Sequence, residues 1–407
     1  MEIINPSNVA MEFGLKTLEK RAKKGESHVS LKIGIPSEHS RNEHRISMTP
    51  GGVGVLTANG HEVFVEEGAG KSANFSDQEY ADAGAAIAHT TEELYKKAQF
   101  IVKVAPPGVE ETAYLDHKHV LLSALHLGSQ TGDFYRHLIE KDITGIGFEF
   151  IQGADKTFPI VRMMHEITGS LSVQIGAHYL ETMQQGQGIL LGGISGIPPA
   201  TVVILGAGII AEYAARTALG YGAQVFVLDN NLAHLRHLEN ALDRRIITAM
   251  ANYQYLSSAL KYADIVIGAA MEEGGKAPCW VTEEMLSEMK TGSVVVDTVI
   301  DQGGCIETSH PTTISNPVFF EQGIVHYCVP NIPSTVARTS TYALNNVLVP
   351  FLIEIGDEGG VEQALWSNVA LRNGAYVYKK HVTKKTLAKQ YNLPHRDIDM
   401  LIASHFK

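Results

Sequence analysis

The run Thr201-Val202-Val203-Ile204-Leu205 is unbroken and apolar, and Gly206-Ala207-Gly208-Ile209-Ile210-Ala211 follows it directly. Those six residues fit G-x-G-x-x-G/A, the turn that joins a buried parallel strand to a helix in dinucleotide-binding βαβ units. A helix-like stretch continues from Ile210 to Gly222. Each small residue has a physical reason. Gly206 permits the tight turn, and Gly208 lets a pyrophosphate reach the backbone. Ala211 lets helix and strand approach closely under a helix N-terminus whose N–H groups face the anion. The next strand-like run, Gln224 to Leu228, ends at Asp229, roughly 20 residues past the first glycine, where an acid binds a ribose 2′-hydroxyl and repels a 2′-phosphate. NAD is therefore expected rather than NADP, with Arg236 the nearby cation that would soften the preference.

The rest of the chain reads as two series of the same kind. Short strand-like runs at residues 32–36, 62–68, 100–105, 119–125 and 145–151 alternate with helix-like stretches. A helical stretch near Leu171 to Thr182 and the glycine-rich connector Gly192 to Pro199 lead to a second series at 201–208, 224–231, 263–270, 293–301 and 324–329. Strands alternating with helices imply parallel sheets, and 407 residues exceed one ordinary domain. The expected fold is α/β, with two Rossmann-like doubly wound parallel-sheet domains and an active-site cleft between them. Residues 1–30 read as a helical extension, 31–160 and 338–407 as a substrate domain, and 161–337 as the NAD-binding domain. After Pro333 the pattern turns helical and then polar, as if the tail packs back on the first domain.

A formal charge of −11 argues against binding nucleic acid, which needs a surplus of Lys and Arg. The cysteines Cys279, Cys305 and Cys328 form no C-x-x-C pair, so a reducing, cytoplasmic setting is expected. No apolar run approaches the ~20 residues that span a bilayer, so no membrane span is expected. Two motifs are incomplete. Gly68-Ala69-Gly70-Lys71-Ser72 ends like a P-loop but has Val65 where the first glycine belongs, and His165-Glu166 opens like a zinc-binding H-E-x-x-H but has Gly169 in place of the second histidine. No catalytic metal is expected.

Oxidation at the α-carbon of a small acid needs a carboxylate clamp, a group titrating near neutrality and an oxidant. Arg45, after the first strand, has the fork geometry to grip a carboxylate, although an isolated arginine also suits a surface ion pair. His126 ends a strand, where parallel sheets place functional groups, but it is one of 18 histidines. Asp301 lies just past a strand of the second series.

With these residues in place the chain resembles the alanine dehydrogenase and nicotinamide nucleotide transhydrogenase alpha-subunit family from about Leu31 to Glu354. The matching pieces are KIGIP, NEHRISMTPGGV, GHEVFVEEGAG, SALHLGS, VVILGAGIIA, ADIVIGA, KTGSVVVDTVIDQGGC and VPNIPSTVARTSTYALNN. The resemblance implies that Arg45 binds a substrate carboxylate, His126 is the acid/base, Asp301 hydrogen-bonds at the reaction centre and Asn331 lines the cofactor and substrate site. It implies reversible conversion of L-alanine, NAD+ and water to pyruvate, ammonium and NADH by a homo-oligomer, commonly a hexamer. The transhydrogenase branch typically lacks the histidine and this aspartate, so the chain sides with the dehydrogenases.

One departure is prominent. Alanine dehydrogenases usually carry two lysines in K-V-K-E-P, the second touching substrate, whereas this chain reads Lys103-Val104-Ala105-Pro106-Pro107. Strand alternation puts Lys103 and Ala105 on one face, about 6.6 Å apart, so Lys103 is the candidate to replace the lysine missing at Ala105. The loss leaves two alternatives, a dehydrogenase for another small amino or keto acid and a non-catalytic NAD(H)-binding module. A second departure is His165, where the family often places serine.

Overall fold

The computed structural model describes residues 28–40, 42–125, 130–272 and 276–403. The expected N-terminal helix falls, up to residue 27, outside the described residues, as does His126. The chain divides into two compact units, Met1–Met163 with Val336–Lys407, and Met164–Thr335.

In the first unit, β1 (Lys32–Ile35), β2 (Glu62–Glu66), β3 (Ala86–Ala88), β4 (Phe100–Val102), β5 (Val120–Ser123) and β6 (Thr144–Gly147) are parallel. β4 and β5 are buried throughout, which is why they read as continuous apolar runs rather than alternating ones. A Cβ on Gly34 would lie 2.7 Å from the Ala98 Cβ, so glycine in β1 allows close packing around the end of the helix Thr91–Lys97. β1 lies between β2 and β4, so the strand order reverses at β1 and β4.

In the second unit, β7 (Thr201–Leu205), β8 (Gln224–Asp229), β9 (Ile247–Met250), β10 (Ile265–Gly268), β11 (Val294–Asp297) and β13 (Ile324–Tyr327) are parallel, and β12 (Val318–Glu321) adds an antiparallel edge to β13. The order β12-β13-β11-β10-β7-β8-β9 reverses between β7 and β10. The helix Pro159–Tyr179 extends further upstream than the periodicity alone indicates.

The tail departs from the helical expectation. After the helix Ala337–Asp357, β14 (Ala375–Tyr378) pairs antiparallel with β6, and β15 (His381–Val382) pairs with β14. Both sheets are thus parallel at the centre with antiparallel edge strands, rather than purely parallel. The tail strands have four and two residues, too short to establish a period. No helix among the described residues is long and apolar enough to cross a membrane.

Gly169, at the position where a zinc motif would need histidine, is explained by packing. A Cβ there would come within 2.3 Å of the Ile210 carbonyl oxygen and 2.9 Å of the Tyr213 Cβ, so the helix Pro159–Tyr179 and the helix Ile209–Tyr221 touch backbone to backbone. Gly169→Ala is expected to cost about 1–3 kcal/mol of stability through overpacking, seen as a fall of several degrees in Tm. An unchanged Tm would contradict this close approach.

Candidate active site

Functional groups of doubly wound sheets collect at the carboxyl ends of strands where the order reverses. In the second unit that point is β7 against β10. Gly206 has φ +106°, a backbone region that disfavours residues with a Cβ, and a Cβ there would meet the Ala269 carbonyl oxygen at 2.7 Å. The Gly206 N–H donates to the Leu228 carbonyl at 2.7 Å. Gly208 differs: it caps the helix Ile209–Tyr221, is exposed, and a Cβ there would meet nothing within 4 Å. The fold does not demand glycine at 208, whereas an anion seated on the helix N-terminus would. Ile210 and Ala211 are buried, and Ile209 is half-buried.

Asp229 ends β8 and orders the loop directly. Its Oδ2 accepts the Ala207 N–H at 2.7 Å, and its Oδ1 accepts the Asn231 N–H at 2.7 Å. Arg236 lies on the helix Leu232–Ala241 that follows β8. It is exposed and lines an open cleft of about 370 Å³ with Leu232, Glu239, Thr248 and Tyr255. No residue from 206 to 211 lines that cleft.

Asp301 sits on the 3-10 turn Ile300–Gln302 just beyond β11. The turn is closed by Gly303 and Gly304 at φ +114° and +77° and held from beneath by Asp297. The buried Asp297 carboxylate accepts the Cys305 N–H at 2.9 Å and the Val299 N–H at 3.3 Å. Asp301 is exposed at the rim of the turn, yet desolvation by surrounding protein raises its carboxyl above the ordinary range. Asn331 follows β13 in the left-handed region at φ +62°, which asparagine tolerates better than most residues. Its carbonyl accepts the Ser334 N–H at 3.0 Å.

In the first unit the reversal lies between β1 and β4, and charged side chains collect there. Arg45 is buried, donating from Nε to Glu43 Oε1 at 2.7 Å and from Nη2 to Glu43 Oε2 at 2.6 Å. This two-point pairing fixes the plane of the guanidinium. Lys103 is 1% exposed. Its Nζ donates to the Ser37 carbonyl at 3.0 Å and Glu111 Oε1 at 2.8 Å, and lies 3.4 Å from Glu38 Oε2. Burial disfavours the ammonium, but Glu38 and Glu111 outweigh it and hold Lys103 above its ordinary value.

Ala105 is buried, and its N–H points to Glu38 Oε2 at 3.3 Å, while Glu38 Oε1 accepts the Val104 N–H at 2.6 Å. Desolvation pushes Glu38 up to about 7, against the pull of Lys103 and the Val104 N–H. The sequence reading did not single out Glu38, Glu43, Glu111 or Asp297. A buried lysine requires carboxylates, but only the fold shows which ones.

The family models for the alanine dehydrogenase/PNT N-terminal and C-terminal domains match residues 34–168 and 172–385. The chain belongs to the alanine dehydrogenase/PNT family. It is 42% identical over 364 residues to the alanine dehydrogenase of Methanococcus maripaludis, covering 89% of this chain and 97% of that one. An L-alanine dehydrogenase of known structure aligns with TM-score 0.84 and 36% identity, over 88% of this chain and 99% of that one. The transhydrogenase from Sinorhizobium meliloti aligns at TM-score 0.74 and 24% identity, over 87% and 99% of the two chains, and shares the fold.

The contrast between the two glycines of this family member gives a test. Gly208→Ala should change stability by no more than about 1 kcal/mol, the scale of an N-cap change, while weakening NADH binding at least tenfold in fluorescence titration. Retained affinity would mean that no phosphate approaches residue 208.

Proposed function

We propose that the chain catalyses NAD-dependent oxidative deamination of L-alanine, in which L-alanine, NAD+ and water give pyruvate, ammonium, NADH and a proton, reversibly. The observation that carries the proposal is the match of both family domains to a chain whose described candidate groups Arg45, Lys103, Asp301 and Asn331 follow parallel strands. Relatives named alanine dehydrogenase and aligned over nearly their whole length support the same substrate.

NAD fits the second unit because Gly206 holds the turn, Gly208 leaves open space at a helix N-terminus, and Asp229 orders the loop and stands where a ribose hydroxyl would bind. When bound, the nicotinamide supplies the two-electron oxidant. Arg45 binds the substrate carboxylate, its plane set by Glu43. Lys103, bonded as it is to Ser37 and Glu111, contributes fixed positive charge near that clamp in place of the lysine absent at Ala105. His126 takes a proton from the attacking water and returns it to the departing nitrogen. Asp301 accepts a hydrogen bond at the reaction centre, and Asn331 orients substrate and cofactor. The active form is a homo-oligomer, a hexamer by family resemblance, working in the cytoplasm.

Purified protein with NADH and ammonium should turn over pyruvate faster than glyoxylate, oxaloacetate or 2-oxobutyrate. Turnover of another acid in preference to pyruvate would shift the substrate, with Ala105 as the residue responsible. His126→Ala is expected to lower kcat by about 10²–10⁴ with NADH affinity within a few-fold of wild type, and equal loss of cofactor binding would sink the acid/base role. Asp229→Ala is expected to raise the NADPH-to-NADH affinity ratio tenfold or more, whereas an unchanged ratio would refute the ribose contact.

A further inference from the structure

Two glycines fix how the helices of the second unit lie against one another. A Cβ on Gly169 would meet Ile210, Tyr213 and Ala214, so the helix Pro159–Tyr179 touches the first turns of the helix Ile209–Tyr221. Further along, a Cβ on Gly176 would meet the side chain of Ile265, the first residue of β10, which pairs with Val202 near the start of β7. The helix Pro159–Tyr179 therefore runs from the level of the glycine turn towards the starts of the strands. The helix Ile209–Tyr221 runs the same way, since it leads from the end of β7 to the start of β8. Residues four apart share a helix face and lie about 6 Å apart along the axis. His165 is thus on the face of Gly169, and four residues back from 210–214 on the neighbouring helix are residues 206–210. His165 stands level with the glycine turn, and its side chain leans towards its own helix N-terminus, on the side of the carboxyl ends of the strands.

The imidazole is half-buried there and makes no hydrogen bond or ion pair among the described residues. Arg162 and Glu166 flank it on its own helix. Glu212 and Tyr213 stand on the facing one, where Glu212 accepts from Arg216 at 2.7 Å. None of them shifts His165: burial alone acts on it and holds the imidazole below the ordinary histidine range. A polar side chain taken out of water without a partner costs stability unless a ligand supplies one. The space for a ligand lies at Gly208, where a Cβ would meet nothing within 4 Å.

We propose that His165 is a further cofactor-binding residue, whose imidazole takes up a proton as it meets the pyrophosphate of the dinucleotide at the glycine turn. The inference rests on the reading of that turn as the NAD site. Without cofactor, the imidazole is neutral because nothing near it repays the loss of water. The pyrophosphate brings negative charge that favours the imidazolium and gives it an acceptor. The proton is then held more tightly in the complex than in the free protein, so binding takes up a proton. Affinity is greatest at low pH and falls as pH rises through the titration of the complex. His234, 3.7 Å from Asp229 Oδ1, is the titratable group at the ribose end of the same site, and the variant below separates the two.

The test is the affinity for NADH and for ADP-ribose from pH 5.5 to 8, by fluorescence titration and by displacement of NADH, for wild type and His165→Gln. ADP-ribose keeps the pyrophosphate and lacks the nicotinamide. The wild-type Kd should rise roughly tenfold across this range for both ligands, whereas His165→Gln should hold the weaker, alkaline Kd throughout.

Proton uptake on binding NAD+, measured by calorimetry at pH 6.5 in two buffers of different ionisation enthalpy, needs no variant. Wild type should take up roughly half a proton, as expected for an imidazole that holds its proton about tenfold more tightly in the complex. A pH-independent wild-type Kd, a slope retained in His165→Gln, a slope for NADH but not ADP-ribose, or zero proton uptake would overturn the proposal and leave the NAD site standing. Absence of NADH and ADP-ribose binding at every pH would instead bring down the NAD reading, and this proposal with it.

Discussion

The ammonium of Lys103 sets the terms for the first unit. A side chain 1% exposed cannot keep a positive charge unless the protein replaces the water it loses, and an uncompensated buried charge would cost several kcal/mol. Two separate segments answer that demand. The loop after β1 supplies the Ser37 carbonyl and Glu38, and the helix Val109–Ala113 supplies Glu111. Glu111 also accepts the Gly108 N–H at 2.8 Å, so the residue that compensates the lysine also begins its own helix. Charge compensation and chain direction are therefore one structural problem at the end of β4.

In the second unit Lys290 meets the buried Asp264 at 2.7 Å, but the carboxylates at the carboxyl ends of strands are met by backbone. Asp229 and Asp297 are buried carboxylates satisfied by N–H groups: those of Ala207 and Asn231 for the first, of Val299 and Cys305 for the second. Each shapes a loop at the carboxyl end of a strand, one carrying Gly206 to Gly208, the other carrying Asp301. Around Asp297 burial outweighs these bonds and raises the carboxyl above its ordinary range, with the Ser309 hydroxyl and the Cys305 and Val299 N–H groups pulling the other way. The glycine at 304 follows from this, since a Cβ there would fall 2.8 Å from Asp297 Oδ2, whereas Gly303 answers to its φ of +114°.

What the sequence made legible was local. The glycine turn is readable because strand, turn, helix and acid occur in order within 29 residues, Thr201 to Asp229, a spacing fixed by βαβ geometry. β4, β5, β10 and β11 are readable because fully buried parallel strands are continuous apolar runs. β3, β9 and β15 escaped because they are short, lie at sheet edges and carry little pattern; β9, Ile247-Thr248-Ala249-Met250, contains no fully buried residue. Gly169 was legible only as a broken metal motif, since its partner Ile210 lies on another helix. Glu38 and Glu111 were invisible for the same reason: nothing local marks a glutamate that will meet a lysine from another segment.

Ala105 shows how the fold absorbs a departure from the family pattern. β4 ends at Val102, and residues 104 and 105 form a bend, so residue 105 does not continue the strand face that alternation would give it with Lys103. Glu38 ties this bend down: it accepts the Val104 N–H at 2.6 Å and the Ala105 N–H at 3.3 Å while its carboxylate lies 3.4 Å from the ammonium of Lys103. Those two hydrogen bonds come from the backbone and do not depend on which side chain residue 105 carries, so the bend is compatible with alanine where the family usually has lysine.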